Sequence, residues 1–136
     1  MNLRFVVDSS ALISILNQES DAADFLDAVN GGRPVIGAPT LFESRIWCLR
    51  RSRPDSLEWL DDWAAGADVI PFDRRLEREA AQAYRRFGKG LHPASLNYGD
   101  AMCYAVAAQH DAPLLFKGSD FGRTDVRVHP ASIVLN

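Results

Sequence analysis

The chain has 136 residues, of which 47% are hydrophobic and 24% are charged, and its formal net charge at pH 7 is -3. These values fit one globular domain and exclude a disordered, collagen-like or coiled-coil architecture. The negative charge also argues against a protein that coats nucleic acid through bulk positive charge. No run approaches the roughly 20 apolar residues of a membrane span and no apolar signal segment opens the chain, so we expect a cytoplasmic protein with no membrane contact.

Strand and helix patterns alternate along the chain. Short apolar runs predict strands at residues 5–7, 34–37, 69–72, 113–116, 126–128 and 133–135. Helical spacing and capping residues predict helices at residues 11–17, 21–30, 40–51, 56–65, 76–87 and 97–110. This alternation indicates an α/β fold, a three-layer sandwich in which helices flank a mostly parallel central sheet with right-handed connections.

Two groups of apolar side chains lie in helical patterns. The helix at 40–51 has one apolar face. The members of this face are Leu41, Phe42, Ile46, Trp47 and Leu49. Cys48 and Cys103 lie in helical apolar patterns without metal-ligand spacing, so we expect buried, reduced thiols with no chemical role.

Four carboxylates are expected at one edge of the sheet. Asp8 follows the first strand, and Glu43 begins the helix after the second strand. Asp100 begins the helix before the strand at 113–116, and Asp120 follows that strand. Because strands of a parallel sheet end at the same edge, residues distant in sequence meet there. Each acid on its own has an equally simple interpretation as a helix cap or a loop residue.

Such a group of acids needs a cation. Four carboxylates within a few ångströms repel one another, which raises their pKa values unless a positive charge neutralises them. An all-oxygen set suits Mg²⁺ or Mn²⁺, whereas zinc usually brings His or Cys. Ser10, Asn97 and Ser119 are candidates to orient the acids or to hold water at the ion, and each is also a plausible cap or turn residue.

Four motifs containing these acids resemble those of a known family. They are FVVDSSAL at residues 5–12, PTLFE at 39–43, LNYGD at 96–100 and LLFKGSDF at 114–121. In order and spacing they resemble the acidic motifs of PIN-domain nucleases, in particular the VapC toxins of bacterial toxin-antitoxin modules. The resemblance extends over essentially the whole chain, so it implies one PIN domain covering residues 1–136.

The resemblance implies an endoribonuclease toxin that cleaves single-stranded RNA with Mg²⁺, for which Mn²⁺ can substitute. It assigns Asp8, Asp100 and Asp120 as metal ligands, and Glu43 as the acid that positions or deprotonates the nucleophile. The ion would activate a water for in-line attack on the phosphate. The resemblance further implies a homodimer formed through helices within residues 9–30 and 43–65, and a VapB-like antitoxin that offers an apolar segment to a groove near the same helices.

Basic residues near the acids are candidate phosphate contacts. A metal-filled acidic site that receives a polyanion needs a basic rim, and we predict that Arg85, Arg86, Lys89 and Lys117 supply it. The alternative is that these residues form solvated helix or loop surfaces.

Three other functions stay open from the sequence. Metal-free RNA cleavage by a histidine pair is disfavoured because nothing gathers His92, His110 and His129. A haloacid-dehalogenase-like phosphatase would use Asp8 as nucleophile, but this chemistry usually has a second Asp where Ser10 stands. The third alternative is a non-catalytic α/β interaction module with a solvated acidic pocket.

Overall fold

Helices and strands alternate in a computed structural model that describes residues 3–51 and 53–136, so Met1, Asn2 and Ser52 lie outside the description. The helices are α1 (Ser9–Leu16), α2 (Ala22–Val29), α3 (Ala38–Arg50), α4 (Pro54–Ala65), α5 (Arg74–Phe87) and α6 (Tyr98–His110). The strands are β1 (Arg4–Val7), β2 (Arg33–Gly37), β3 (Asp68–Ile70), β4 (Leu114–Leu115), β5 (Lys117–Gly118) and β6 (Ile133–Val134). Within these described ranges, no helix has the length and apolar character needed to cross a membrane.

The central sheet is parallel and has the strand order β3-β2-β1-β4. β1 lies inside it, with Val6 opposite Val35 of β2 and opposite Leu114 of β4. The strands β5 and β6 form a separate parallel pair, in which Lys117 is opposite Ile133. The predicted α/β architecture with a parallel central sheet is therefore confirmed.

Both faces of the sheet are covered by helices. Successive strand residues point to opposite sides, so each strand contributes side chains to both faces. One face packs against α5 and α6, and the other packs against α1 to α4. The first face carries Val6, Val35 and Leu114, and the second carries Val7, Ile36 and Leu115. Each of these side chains is at most 1% exposed. The result is the three-layer sandwich that the alternation of elements predicts.

The carboxyl edge of the sheet is fixed by two helix starts. β1 ends where the backbone N–H of Asp8 donates to the carbonyl of Leu115 at 3.0 Å. The Asp8 side chain then caps α1 by accepting the backbone N–H of Ser10 at 3.1 Å. At the start of α6, Asn97 is the capping residue. The acids that follow strands and those that begin helices consequently share one edge.

The apolar face predicted for α3 is divided between the core and the surface. Leu41 and Trp47 pack against the core, whereas Phe42, Ile46 and Leu49 are 61%, 38% and 55% exposed. The fully buried positions of this helix are Thr40, Ser44 and Cys48. The Ser44 hydroxyl donates to the Thr40 carbonyl at 3.0 Å, which satisfies its polar group within the helix. Small side chains therefore pack inward, and three large apolar residues form a surface.

The strand predicted at 126–128 is also wrong. Val128 forms only an isolated bridge to Leu114, and the surrounding segment has no regular structure. β4 is two residues long and is already paired with β1. It therefore offers a neighbouring segment too short an edge to extend the sheet.

Candidate active site

Three carboxylates from separate elements line one cavity of about 440 Å³ at the carboxyl edge of the sheet. Asp8 precedes α1, Asp100 lies in the first turn of α6, and Asp120 follows β5. Asp8 is 7% exposed and is therefore buried at the base of this cavity. The topology thus brings together three acids that are up to 112 positions apart in sequence (120 − 8 = 112).

Glu43 lies on the wall beside this cavity and lines an adjoining groove with Asn97 and Gly99. A Cβ atom added to Gly99 would be 3.7 Å from Oε1 of Glu43, an ordinary van der Waals distance, so this carboxylate lies beside the start of α6. Desolvation raises the pKa of Glu43, a hydrogen bond from Ser9 opposes the rise, and the charge of Asp8 adds to it.

Asp100 is electrostatically coupled to the three other acids. Desolvation is the largest cause that raises the pKa of Asp100, which reaches about 7. Its hydrogen bond with the backbone of Asn97 lowers the pKa, while the charges of Asp8, Asp120 and Glu43 raise it further. Asp100 is therefore about half-protonated near neutral pH, because it shares a poorly solvated site with other acids.

Ser10 holds Asp8 in place, as we expected of an orienting residue. Its hydroxyl lies 2.5 Å from Oδ2 of Asp8 and accepts the backbone N–H of Lys117 at 2.9 Å. Because that N–H occupies a lone pair of the hydroxyl oxygen, the single hydroxyl proton is directed to the carboxylate. The side chain therefore links Asp8 to the segment that leads to Asp120.

Sequence reasoning missed two residues of the site. Ser9 is buried and lowers the pKa of Glu43, which desolvation raises. Cys103 is buried, and desolvation, followed by the charge of Asp8, raises its pKa well above the ordinary thiol value. The thiol is therefore neutral beside Asp8. The available signal was the position of Cys103 three residues after Asp100, one helical turn along the same face of α6.

The other two supporting candidates have mainly local contacts. Asn97 caps α6 by accepting the backbone N–H of Asp100 at 2.8 Å, which is the cap interpretation that the sequence left open. The Ser119 hydroxyl is 3.4 Å from Oδ1 of Asp120, at the long limit of a hydrogen bond. Their assignment as water-holding residues stays a prediction.

The donor set fits a hard divalent cation. The cavity presents carboxylate and hydroxyl oxygens, and none of the ion pairs formed by the described residues involves Asp8, Glu43, Asp100 or Asp120. Across residues 3–51 and 53–136, no three acidic, His or Cys side chains already form a closed metal cage. Lys117 also lines this cavity, but its ammonium group is paired with Glu19 and Asp21, so the repulsion among the four acids is left for an added cation to relieve.

The predicted phosphate contacts fall into two groups. Lys117 forms ion pairs with Glu19 and Asp21, and Arg86 forms one with Asp125 at 3.1 Å. The side chains of Arg85 and Lys89 are exposed and take part in none of the ion pairs that the described residues form. Arg85 and Lys89 are therefore available to a ligand without losing a partner.

An apolar groove of about 500 Å³ adjoins the acidic cavity. Its lining residues are Pro39, Thr40, Phe42, Glu43, Ile46, Asn97, Tyr98, Gly99 and Met102. Phe42 and Tyr98 are 61% and 78% exposed, which is unusual for aromatic side chains in one patch. The exposed face of α3 is thus one wall of a groove that ends at Glu43.

A family model described as the PIN domain matches residues 5–127. The chain belongs to the PIN-domain family. Its relatives include the VapC ribonuclease Mb0625 of Mycobacterium bovis and ribonuclease VapC28 of Mycobacterium tuberculosis. Each is 40% identical over 126 residues, which cover 90% of this chain and 95% of the relative. The resemblance to PIN-domain nucleases of the VapC type is confirmed.

Solved structures of PIN-domain toxins share the fold. A toxin-antitoxin complex from Klebsiella pneumoniae has a TM-score of 0.74 at 17% identity and covers 95% of this chain and 99% of that chain. The sarcin-ricin loop cleaving toxin VapC20 of M. tuberculosis has a TM-score of 0.71 at 17% identity and covers 90% and 98%. At these identities the similarity bears on the fold alone, and it agrees with the three-layer sandwich described above.

PIN membership favours nuclease chemistry over the alternatives that the sequence left open. The three histidines have separate local contacts: the Nδ1 atoms of His92 and His129 accept the backbone N–H groups of Ala94 and Ala131 at 3.0 Å. Nδ1 of His110 is 2.9 Å from the Val106 carbonyl. No histidine pair forms among the described residues, so the carboxylates are the groups available for acid-base chemistry in this PIN domain.

Proposed function

We propose that this protein, as one PIN domain over residues 1–136, is a metal-dependent endoribonuclease toxin that hydrolyses phosphodiester bonds in single-stranded regions of RNA. The convergence of the four acids carries the proposal: Asp100 is partly buried, and desolvation, together with the charges of Asp8, Asp120 and Glu43, raises its pKa. Relatives at 40% identity are named ribonucleases, which supports the same activity. Mg²⁺ is the proposed cofactor, and Mn²⁺ is expected to substitute for it.

In this proposal Asp8, Asp100 and Asp120 hold the ion and Glu43 handles the proton. When bound, the ion supplies positive charge to the scissile phosphate and lowers the pKa of the attacking water. Glu43 accepts the proton of that water, and the rise in its pKa on desolvation makes the carboxylate a stronger base. Ser10 holds Asp8 through its hydroxyl, and Ser9 and Cys103 are the further polar side chains beside Glu43 and Asp8.

RNA binding is assigned first to Arg85 and Lys89. Their side chains are exposed and lie before the segment that leads to α6, and Lys89 lines a groove together with Tyr84, Asn97 and Tyr98. Phosphate contacts by such residues supply affinity that depends strongly on salt concentration. Arg86 and Lys117, which the sequence also predicts as phosphate contacts, are given no phosphate in this proposal, because each would have to give up a carboxylate partner to bind one.

The exposed apolar groove is the proposed site of a VapB-like antitoxin. A solved relative in fold is the VapBC2 complex of Rickettsia felis, and burial of large exposed apolar side chains is a typical role of a protein partner. An apolar antitoxin segment covering Phe42, Ile46, Tyr98 and Met102 would lie beside Glu43 and obstruct the acidic cavity. We further propose a homodimer formed through helices within residues 9–30 and 43–65.

The function is tested with Asp8→Asn, in which the amide can still cap α1 but no longer carries charge. We expect wild-type protein to cleave single-stranded RNA with Mg²⁺ or Mn²⁺ and to stop when the metal is chelated. Asp8→Asn should lose cleavage and keep a cooperative thermal transition. Asp24→Asn, an exposed acid in α2, is the matched control and should cleave normally. Cleavage in chelator, or full activity of Asp8→Asn, would contradict the proposal.

A further inference from the structure

The ammonium group of Lys117 is held between two carboxylates. Its Nζ atom lies 2.8 Å from Oε1 of Glu19 and 2.9 Å from Oδ2 of Asp21, around the turn that joins α1 to α2. The side chains of Lys117 and Asp21 are 26% and 15% exposed, less than either partner of the Arg4–Asp68 pair at 40% and 56%. This ion-pair cluster is therefore partly shielded from solvent, and its geometry is better defined than that of a surface pair.

The two carboxylates are themselves fixed. The hydroxyl of Ser14, which is buried in α1, donates to Oδ1 of Asp21, and Nδ2 of Asn17 donates to Oε2 of Glu19 at 3.0 Å. Each acid thus uses one oxygen for its own helix or turn and the other for Lys117. The α1–α2 turn presents a preformed site for one ammonium group.

Lys117 is held through its backbone as well. Its N–H donates to the Ser10 hydroxyl at 2.9 Å, and that hydroxyl contacts Asp8 at 2.5 Å. Asp120 follows three positions later in the chain. Lys117 consequently fastens the segment before Asp120 to the helix that follows Asp8, through its main chain and its side chain.

The segment between Lys117 and Asp120 is held by backbone pairing and has few side-chain contacts. The N–H of Leu135 donates to the Gly118 carbonyl at 2.9 Å, whereas a Cβ added to Gly118 would meet no atom within 4 Å. Side-chain packing resumes at Phe121, which is 4% exposed and lies against Phe116 with ring centroids 5.3 Å apart. Lys117 and Phe121 are therefore the side-chain anchors on either side of Asp120.

We propose that Lys117 is a positioning residue: its ion pairs with Glu19 and Asp21 set the placement of Asp120 relative to Asp8 across the acidic cavity. The inference rests on the proposed function, in which these two acids share a divalent ion. It assigns the cation of Lys117 to the architecture of the site rather than to an RNA phosphate.

Lys117→Met is the decisive variant, because it keeps the aliphatic stem and removes the charge. Removing a positive charge near an acidic site should by itself strengthen cation binding. A positioning role predicts the opposite, a loss of about tenfold in Mn²⁺ affinity, as is typical of residues that orient metal ligands. Calorimetric titration of the RNA-free protein with Mn²⁺ measures this affinity. Lys117→Arg keeps the charge and should recover most of the affinity.

RNA binding in chelator supplies the second readout, with Arg85→Met as the matched control. Lys117→Met should leave the salt dependence of RNA binding unchanged, whereas Arg85→Met should reduce the slope by about one and leave Mn²⁺ affinity unchanged. If Lys117→Met instead reduces the salt slope and keeps or strengthens Mn²⁺ binding, Lys117 is a phosphate contact and the inference is wrong.

If Lys117→Met does not fold, Asp21→Asn replaces it as the test variant. The measurement is then amide hydrogen exchange. We expect faster exchange at the backbone N–H of residue 117 than in the control Asp24→Asn, and equal protection would overturn the inference. If wild-type protein neither binds Mn²⁺ nor cleaves RNA, the proposed function itself fails. If wild-type protein does both and the Lys117 variants match it, only the positioning role fails.

Discussion

Asn97 and Asp100 each accept the backbone N–H of the other across the first turn of α6. Oδ1 of Asn97 is 2.8 Å from the Asp100 nitrogen, and Oδ2 of Asp100 is 3.1 Å from the Asn97 nitrogen. This capping box fixes the Asp100 side chain while using only one of its oxygens for the cap. The second oxygen stays available to the acidic cavity, so one residue both begins the helix and supplies a carboxylate to the site.

The stability of the metal-free protein should fall as pH rises from 5 to 8. The pKa of Asp100 is about 7 in the folded protein against an ordinary value of 3.8, so between these values the folded state binds more protons than the unfolded state. The free energy of unfolding then decreases with pH. We expect a loss of at least about 1 kcal/mol over this range, measured by urea denaturation.

Two controls accompany this pH measurement. Asp100→Asn removes the titrating group and should flatten the pH dependence. Saturating Mg²⁺ should also flatten it, because a bound cation favours the ionised carboxylate and restores stability at pH 8. A metal-free protein whose stability is independent of pH, or increases toward pH 8, would contradict the raised pKa.

Arg85 and Arg86 should differ in their effect on RNA binding, although they are neighbours in α5. Arg85→Ala should weaken binding and reduce the slope of its salt dependence by about one, since Arg85 is free to contact a phosphate. Arg86→Ala should leave the slope unchanged, because the guanidinium pairs with Asp125 and lies 4.6 Å from the centre of the Phe87 ring. Fluorescence anisotropy in chelator at several salt concentrations measures both; equal slopes for the two variants would contradict the assignment.

The apolar groove should govern antitoxin binding without supporting the fold. Phe42→Ser and Tyr98→Ser remove side chains that are 61% and 78% exposed, so the melting temperature should change little. Affinity for the cognate antitoxin should fall by about tenfold or more for each, as is typical of aromatic anchors in a protein interface. Leu49→Ser is the control, because Leu49 is 55% exposed on the same helix but does not line the groove. Equal losses for all three variants would indicate a different binding surface.

Ser10→Ala should destabilise the protein more than Ser119→Ala does. The first change leaves the Lys117 N–H without its acceptor and removes the hydroxyl donor from the Asp8 carboxylate, which keeps only the backbone N–H of residue 10, so we expect about 1–3 kcal/mol of lost stability. Ser119 has only a 3.4 Å contact with Asp120, so its change should cost less. Urea denaturation at constant pH compares them, and the reverse order would show that Ser10 does not link Asp8 to β5.

The parts of the fold that were predictable are those that depend on local pattern. The apolar run before Asp8 predicted a strand that ends at the site, and Asn97 followed by Asp100 predicted the start of α6. The surroundings of the apolar face of α3 were not predictable in this way, since apolar residues at helical spacing look the same whether they face a core or a groove. Only the structure shows that Phe42 and Ile46 are exposed.

Long-range pairing limited the prediction of the site. The four acids could be placed at one edge because a parallel sheet has a single carboxyl edge. The partners of Lys117 lie about 100 positions earlier, and no local pattern connects that lysine to Glu19 or Asp21. Cys103 was likewise set aside as a core thiol, since only the packing of α6 against β1 brings it to Asp8.

The strand order β3-β2-β1-β4 has a consequence for how this activity can be lost. The chain leaves β1 toward β2 on one side and returns to β4 on the other, and such a topological switch point opens a crevice in the backbone itself. The crevice depends on connectivity, whereas the chemistry depends on a few carboxylates at its rim. Substituting those carboxylates should leave a folded protein that still receives its ligand, so an inactive variant such as Asp8→Asn can serve as a trap for the uncleaved RNA.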